Sequence, residues 1–315
     1  MRRQRSTLPL AASLSVVIVM AGCGLLVDTS GLTGGSVGAP DGSVVDADAS
    51  SVDPSDEGGV PKADASGDDA SRADGANDAG ARLYSTSVLL DHPLLYLPLG
   101  EKQGTRIGNA TGKSTPLTIG APVLERPGAI AGDPDTAASF VSAGLDCGDG
   151  FDFSSLGFYT LEAWAKVPGD LVAGSPRYIV RMGDNLPDGG SPMNAVGLYF
   201  AVIGASTPDA IHNRRADGLA LSTDSVASAD GAFHHFVAVF NGTQLLLYVD
   251  GNLFGSDADD RPLGAVSGHL YVGTRGPSNG FLNSELDEVA VYDYPLSSER
   301  IIAHYDIGAG KRTTP

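Results

Sequence analysis

The sequence contains few cysteines and few basic residues. Its 315 residues include two cysteines, 20 lysines and arginines, and 38 aspartates and glutamates, which give a formal net charge of −18. Two cysteines are too few for a disulfide-stapled scaffold or for a zinc site built on cysteine ligands. Because a nucleic-acid backbone requires a basic protein surface, the acidic composition excludes nucleic acid as an expected partner.

Glycine and proline, in contrast, are abundant. The chain has 42 glycines and 19 prolines, and this content is more typical of a turn-rich β protein than of a helical bundle.

Residues 1–22 have the pattern of an export signal. Arg2, Arg3 and Arg5 precede an apolar run over residues 8–20. The run is shorter than the roughly 20 residues that a membrane-spanning helix needs, so the pattern predicts a signal peptide.

The end of this signal, residues 19–23 (VMAGC), resembles the lipobox of bacterial lipoproteins. The resemblance implies cleavage before Cys23, a diacylglycerol thioether on its thiol and a further acyl chain on its amine, which together anchor a protein durably to a membrane. An ordinary secretory signal with an incidental cysteine is the alternative. Gly24 stands where some inner-membrane lipoproteins carry aspartate, so the predicted location is the cell envelope, at the outer membrane or cell surface.

Residues 23–82 have the composition of a disordered linker. They are rich in Asp, Ala, Ser and Gly and contain no aromatic residue. Such a sequence buries too little apolar surface to offset the entropy lost on ordering. The prediction is an acidic tether that holds the following domain away from the membrane.

Residues 83–315 have the length of one large β-sandwich and are dominated by strand patterns. In residues 159–167, small and apolar side chains alternate with Thr160, Glu162 and Trp164. Residues 269–273 and 286–292 predict two further strands. The pattern as a whole predicts an all-β fold, an antiparallel β-sandwich.

A β-hairpin is predicted over residues 233–249. Two apolar strands, residues 233–240 and 245–249, flank Asn241-Gly242, a pair that favours the positive φ angles of a tight turn. Asp250-Gly251 predicts the next turn in the same way.

One short C-terminal helix is also predicted. Ser297 is a candidate N-cap, Glu299 lies in the first turn, Ile301 and Tyr305 share a face, and Gly308 is expected to end the helix.

Several segments, in order along the chain, resemble the LamG-like jelly-roll domain of the concanavalin A-like lectin/glucanase superfamily. They are residues 159–166, 233–242, 247–251 and 286–297, with lead-in segments at 95–101 and 127–140. The resemblance implies two packed antiparallel sheets that bind a glycan or a protein on a rim or concave face. Because this fold hosts many activities, it implies no single function. We expect a carbohydrate ligand, or alternatively an extracellular protein partner.

The acidic segment at 285–288 invites comparison with the glucanases of this superfamily, whose catalytic strand resembles Glu-x-Asp-x-Glu, sometimes with one residue inserted. Alternation places Glu285 and Asp287 on one face of a strand, but the next residue on that face is Val289, and with the inserted residue the last acid would fall at Ala290. Glu288 is expected to point the opposite way. The acid and the nucleophile of a retaining glycosidase therefore cannot both be placed in this segment, so no catalytic residue and no enzymatic activity are predicted.

Asp287 has two further interpretations. The resemblance implies that some family members bind a structural calcium ion near this residue. Asp149 and Asp152, in the acidic loop after Cys147, are weaker candidate ligands. Calcium needs about six to eight oxygen ligands, which a sequence cannot reveal. The alternative is a carboxylate that accepts hydrogen bonds from backbone amides of a neighbouring loop. Beyond this calcium, no cofactor is expected.

Trp164 and Glu162 share a strand face and so suggest either a sugar-binding platform or core packing, of which packing is favoured.

His234 and His235 are adjacent, so they point to opposite sides of a strand and cannot chelate one ion together.

Residues 108–114 (GNATGKS) resemble a phosphate loop but are one residue short between the glycines. Pro116 opposes the helix that such a loop requires, so we expect an exposed turn.

Cys147 is expected to be a small buried residue.

Residues 171–222 contain many turn residues, which predict a long binding loop. Its polar and aromatic side chains are the first candidates for ligand contacts, although the sequence selects none of them: Tyr178, Arg181, Tyr199, His212, Arg214 and Arg215.

Overall fold

A computed structural model describes residues 83–153, 157–183, 194–202, 207–216, 219–262, 266 and 268–311. The predicted signal peptide, Cys23 and the predicted linker lie outside the described residues. Within the described part of the chain, neither helix is long and apolar enough to cross a membrane.

The described elements are mainly strands. Helix α1 covers residues 83–90 and helix α2 covers Ser298–Gly308. The strands are β1 (Leu95–Leu97), β2 (Leu117–Ile119), β3 (Val123–Pro127), β4 (Thr136–Ser139), β5 (Gly144–Asp146), β6 (Tyr159–Lys166), β7 (Arg177–Met182), β8 (Ala195–Val202), β9 (Pro208–Ala216), β10 (Leu219–Val226), β11 (Phe233–Phe240), β12 (Gln244–Val249), β13 (Asn252–Ala258), β14 (Leu270–Val272) and β15 (Glu285–Tyr292).

The strands form two antiparallel sheets. The eight-stranded sheet has the order β13-β12-β11-β6-β15-β4-β3, and β1 also pairs with β15. The seven-stranded sheet has the order β10-β9-β8-β7-β14-β5-β2. The predicted antiparallel β-sandwich is therefore confirmed, as are the strands expected around residues 159–167, 233–249, 269–273 and 286–292.

The main hydrophobic core lies between the two sheets, and the alternation in β6 shows how it is built. Tyr159, Leu161 and Ala163 belong to this core, as the sequence pattern predicts. Other strands of both sheets contribute alternate residues in the same way, among them Phe200 on β8 and Phe236 on β11, whose rings meet edge to face at 5.1 Å between centroids.

A second hydrophobic layer lies on the outer side of the eight-stranded sheet, beneath the two helices. It contains Tyr84 and Val88 from α1, Ile301 from α2, and Trp164 and Tyr292 from the sheet. Only the C-terminal helix was expected, so α1 corrects the prediction of a single helix. Tyr84 and Val88 are four residues apart and both are fully buried, which is the spacing of one helix face.

The two turns around β12 use different chemistry. Asp250 and Gly251 both have positive φ, 50° and 75°, as expected for this pair. In the preceding turn only Gly242 has positive φ, at 93°. Asn241 instead accepts hydrogen bonds through its side-chain oxygen from the backbone N–H groups of Thr243 and Gln244, at 3.1 and 2.9 Å.

The C-terminal helix begins as predicted and its last residue has a packing role. The Ser297 side chain accepts a hydrogen bond from the Arg300 backbone N–H at 3.4 Å. Gly308 is the final helical residue, and a Cβ atom there would lie 2.4 Å from the Trp164 ring. The positive φ expected at the helix end occurs at Gly310, where φ is 66°.

Candidate functional site

Glu162 lies at the centre of a buried hydrogen-bond network beneath the helices. One of its carboxylate oxygens contacts His235 Nε2 at 2.8 Å and His304 Nδ1 at 2.9 Å. The other accepts a hydrogen bond from the Tyr292 hydroxyl at 2.8 Å. Burial opposes ionisation of this carboxyl, but the charge of His304 and the hydrogen bonds from both histidines outweigh it, so the pKa of Glu162 lies well below its ordinary value.

His304 is held as an imidazolium by carboxylates on both sides. Its Nε2 lies 3.0 Å from Asp91 Oδ2, while its Nδ1 faces Glu162. Burial lowers the pKa of His304, but the charges of Glu162 and Asp91 raise it by more, so the net shift is upward. Asp91 also accepts a hydrogen bond from Arg300 Nε at 2.8 Å, so the ion pairs connect α2 to the end of α1.

Trp164 is sealed into the same layer. Its indole N–H donates to the Tyr84 hydroxyl at 2.9 Å, and its ring stacks on Tyr305 at 5.9 Å between centroids. Trp164 is 3% exposed and Glu162 is 0% exposed. Neither side chain can meet a sugar in this structure, so the favoured interpretation of this pair as core packing agrees with the structure.

The two adjacent histidines have separate structural partners. His235 is fully buried and bonds Glu162. His234 contacts Asp250 at 2.7 Å and Asp230 at 3.3 Å near the surface. The hydrogen bond to Asp250 outweighs partial burial and raises the pKa of His234. The two rings do not share a ligand site.

Strand β15 contains a β-bulge that the sequence pattern did not predict. The register with β6 shifts between Asp287, opposite Trp164, and Ala290, opposite Glu162. Glu288 occupies the bulge with a φ of 53°. Because Trp164 and Glu162 lie on the outer face of the sheet, Asp287 lies on that face too, whereas Val289 belongs to the core between the sheets. The expected alternation through Val289 is therefore wrong.

The orientation expected for Glu288 is also wrong. It lines an outer cavity of about 480 Å³ with Asp133, Asp135 and Tyr96, whose hydroxyl donates a hydrogen bond to the Glu288 carboxylate. Burial, and next the charge of Asp287, raise the pKa of Glu288 well above its ordinary value. Both carboxyl groups thus lie on the outer side of the sheet, where burial raises their pKa values.

Asp287 holds the loop after β3 in place through a hydrogen bond to its backbone. Its carboxylate accepts the backbone N–H of Ala129 at 2.7 Å and that of Glu288 at 3.1 Å. Burial raises its pKa, and the charges of Asp135 and Asp133 act in the same direction. These hydrogen bonds are the ones that the backbone-amide interpretation requires.

The donor set around Asp287 does not fit a calcium ion. Among the described residues, no group of three or more His, Cys, Asp or Glu side chains is arranged to hold a metal. Both oxygens of Asp287 already accept amide hydrogens, from Ala129 and Glu288. Calcium at Asp287 stays a prediction for which the described side chains give no support.

Glu285, the third acid of the segment, is engaged in ion pairs. Arg126 contacts one of its oxygens at 2.8 Å and Lys166 contacts the other at 2.9 Å. Burial opposes ionisation, but the bonds to Lys166 and Arg126 outweigh it, so the pKa of Glu285 is lowered. The segment therefore holds one ion-paired carboxylate and two buried carboxyl groups whose pKa values are raised.

The segment expected to be a long binding loop contains three long strands instead. Strands β7, β8 and β9 occupy much of residues 171–222 and form the middle of the seven-stranded sheet. The alternating residues Val196, Leu198 and Phe200 point into the core. Their intervening neighbours face outward, so this sheet presents an outer surface of its own.

Tyr178 and Tyr199 form an aromatic pair on that outer surface. They are directly opposed across β7 and β8, with ring centroids 4.8 Å apart and an angle of 32° between planes. Both side chains are half-buried, and so is Asn213 on β9, which lies opposite Gly197. We call the surface around Tyr178, Tyr199 and Asn213 the tyrosine surface.

The other residues singled out in this segment behave differently. Arg181 is 3% exposed and donates to the carbonyl of Gly183 at 2.7 Å. His212 is fully buried on the inner side, where its Nε2 contacts the Tyr159 hydroxyl at 2.7 Å. The side chains of Arg214 and Arg215 lie outside the described residues.

Tyr271, which no sequence motif singled out, lies next to Arg181 on the same outer face. His269 stacks on it at 5.9 Å between centroids and contacts Asp146 at 2.6 Å. Tyr271 lies between the core residues Leu270 and Val272, and this alternation was the available signal.

A two-sheet sandwich with an aromatic outer surface is the architecture of a lectin-like jelly-roll domain. The family described as the concanavalin A-like lectin/glucanases superfamily matches residues 142–302, just over half of the chain. The protein belongs to this superfamily. A search of the curated proteins found no match.

Solved structures with the same fold include two toxin domains. The binding domain of Paraclostridial Mosquitocidal Protein 1 is 12% identical, with a TM-score of 0.50, over 69% of this chain and 52% of that one. The binding domain of Botulinum neurotoxin DC, solved with rat synaptotagmin II, is 9% identical, with a TM-score of 0.50, over 69% and 51%. The chain thus spans about half the length of these proteins, and at such identities the likeness shows the fold alone.

Proposed function

We propose that the domain binds a carbohydrate without catalysis and that the tyrosine surface is the contact. The observation that carries the proposal is the half-buried pair of Tyr178 and Tyr199, which lies on the outer side of the seven-stranded sheet. Aromatic faces pack against the apolar faces of sugar rings, and a neighbouring amide such as that of Asn213 can donate to and accept from hydroxyl groups.

The environment of the acids supports a non-catalytic function. A retaining glycosidase needs two carboxyl groups that both face the substrate, one as acid and one as nucleophile. Here Glu285 is paired with Arg126 and Lys166, while Asp287 accepts two backbone amides. None of these groups lies on the tyrosine surface, because β15 belongs to the other sheet.

A glycan array tests this function. The full chain with Cys23→Ser, which removes the predicted acylation site, should bind a defined set of glycans saturably. Tyr178→Ala and Tyr199→Ala should each weaken that binding about tenfold, equivalent to about 1.4 kcal/mol. Phe254→Ala is the matched control, because Phe254 is an exposed aromatic residue on β13 of the other sheet.

An array without binding would refute the carbohydrate proposal. If cross-linking on cells then captured one protein through the same surface, and Tyr178→Ala abolished the capture, the domain would be a protein-interaction module instead. Hydrolysis of any bound glycan that disappears in Glu285→Gln would refute the non-catalytic function.

We further propose that the domain is displayed from the cell envelope, at the outer membrane or cell surface, by acyl chains on Cys23 and a tether formed by residues 23–82. The VMAGC segment and the acidic, aromatic-free composition support this proposal. Mass spectrometry of the mature protein should find an acylated N-terminal cysteine, and Cys23→Ser should release the protein from membranes. A mature chain that begins elsewhere and carries no lipid would contradict it.

A further inference from the structure

A second cavity, of about 320 Å³, lies between two loops beside β1. The first loop is the 108–114 segment and the second follows β5. Leu94, Cys147 and Phe151 supply its apolar lining, and Lys113, Ser114 and Asp149 supply its polar lining. Its volume falls within the range of small-molecule sites. It is separate from the tyrosine surface, to which it contributes no residue.

Hydrogen bonds to the sheets hold both walls of the cavity in place. The Asn109 side-chain oxygen accepts the backbone N–H of Tyr96 at 3.2 Å, and its amide donates to the Ser114 hydroxyl at 3.3 Å. In the other wall, the Cys147 N–H donates to the carbonyl of Leu270 at 2.8 Å. The cavity is therefore preformed, so binding would not have to order either loop.

The deep side of the cavity is apolar. Cys147 and Phe151 are both buried members of the main core, and Leu94 packs against that core. Burial raises the pKa of the Cys147 thiol, which therefore stays protonated at neutral pH. This side suits an aromatic or aliphatic group rather than a charged one.

The open side carries one charge of each sign. Lys113 and Asp149 are both exposed, and both line the cavity. A ligand that carries one charge of each sign can pair with both side chains at once.

We propose that this cavity binds a small zwitterion with an apolar side chain, of which a free apolar α-amino acid is the simplest example. Its carboxylate lies near Lys113, its ammonium near Asp149, and its side chain against Leu94 and Phe151. This site is independent of the carbohydrate function, because it shares no side chain with the tyrosine surface.

Three matched probes test the proposal by isothermal titration calorimetry on the full chain with Cys23→Ser. L-phenylalanine carries both charges, 3-phenylpropionate lacks the ammonium, and phenethylamine lacks the carboxylate. L-phenylalanine should bind with a dissociation constant of about 1 mM, as expected for so few atoms. Each one-charge probe should bind about threefold to fivefold more weakly.

Variants of the two charged residues separate the roles. Lys113→Ala should weaken the binding of L-phenylalanine and 3-phenylpropionate about threefold to fivefold and leave the binding of phenethylamine unchanged. Asp149→Ala should weaken the binding of L-phenylalanine and phenethylamine and leave that of 3-phenylpropionate unchanged. Both side chains are exposed, so both variants should fold. Lys102→Ala, an exposed lysine at the other cavity, is the control. Absence of saturable binding at millimolar L-phenylalanine, or equal binding of all three probes, would overturn the proposal.

Discussion

Replacing Glu162 with glutamine should strongly destabilise the domain. The substitution keeps the shape of the side chain but removes the charge that holds His304 as an imidazolium between Glu162 and Asp91. It also replaces one of the two carboxylate oxygens, which accept hydrogen bonds from His235 and Tyr292, with an NH2 group that cannot accept one. Breaking a buried charge pair by changing one partner typically costs about 3–5 kcal/mol.

That loss can be converted into a melting temperature. For a domain of this size, 1 kcal/mol corresponds to roughly 2–4 °C, so Glu162→Gln should lower Tm by about 10 °C. Urea unfolding of the full chain, followed by tryptophan fluorescence, measures the free energy directly, because Trp164 lies in the same layer. Asp257→Asn, which removes an exposed carboxylate from β13, should leave Tm unchanged.

The pH dependence gives the sharper test. The pKa of His304 is raised above 6.5 in the folded state, so its stabilising contribution is fully present below the unfolded pKa and is lost as pH rises through the folded value. The difference between wild type and Glu162→Gln should therefore shrink on going to alkaline pH. A variant within about 1 kcal/mol of wild type, or a difference independent of pH, would refute the assignment of this network.

Three further changes test other parts of the structure. The pKa of Glu288 is raised above 4.5 in the folded state, so its stabilising contribution is present at low pH and is lost as pH rises. Glu288→Gln should therefore raise the free energy of unfolding by about 1 kcal/mol at pH 7, measured by urea unfolding, and change it little at pH 4. Gly308→Ala would place a Cβ atom 2.4 Å from the Trp164 ring and should cost about 1–3 kcal/mol, measured as a lower Tm. The donor set at Asp287 predicts that EDTA leaves Tm unchanged; a fall in Tm that Asp287→Asn abolishes would establish the calcium site instead.

The sequence predicts the strands whose signals are local. In β6 the alternation of Tyr159, Leu161 and Ala163 with polar or aromatic neighbours is sufficient, because a half-buried strand repeats every two residues. The turn at Asp250-Gly251 was predictable for the same reason, since its positive φ angles depend on the two residues themselves. The helix start at Ser297 likewise depends on a side chain that bonds its own first turn.

The bulge at Glu288 could not be predicted from local sequence signals. Its φ of 53° is unusual for a glutamate and no glycine marks the position. The register shift arises where β15 must pair with β6 on one side and with β4 and β1 on the other. That constraint is tertiary, so a period-two pattern assigned Val289 and Glu288 to the wrong faces.

The candidate sites depend on segments that are distant in sequence. Tyr178 meets Tyr199 only because β7 and β8 pair, and the second cavity combines residues near 110 with residues near 150. In β8 the alternation of Val196, Leu198 and Phe200 was present, but the many turn residues around it favoured a loop. A strand assignment there would have identified Tyr199 as an outward-facing residue.

The position of the helices determines where this domain can meet a ligand. On the eight-stranded sheet, α1 and α2 cover the outer face at β6 and β15, the region that holds Trp164 and Glu162. His304 is paired there with Glu162 and Asp91, which stabilises the fold. The contacts that we propose for ligands lie on the other sheet and on the loops at the ends of the sandwich. If a ligand were instead to protect Trp164 or Tyr305 from modification without unfolding the helices, this division between structural and binding faces would be wrong.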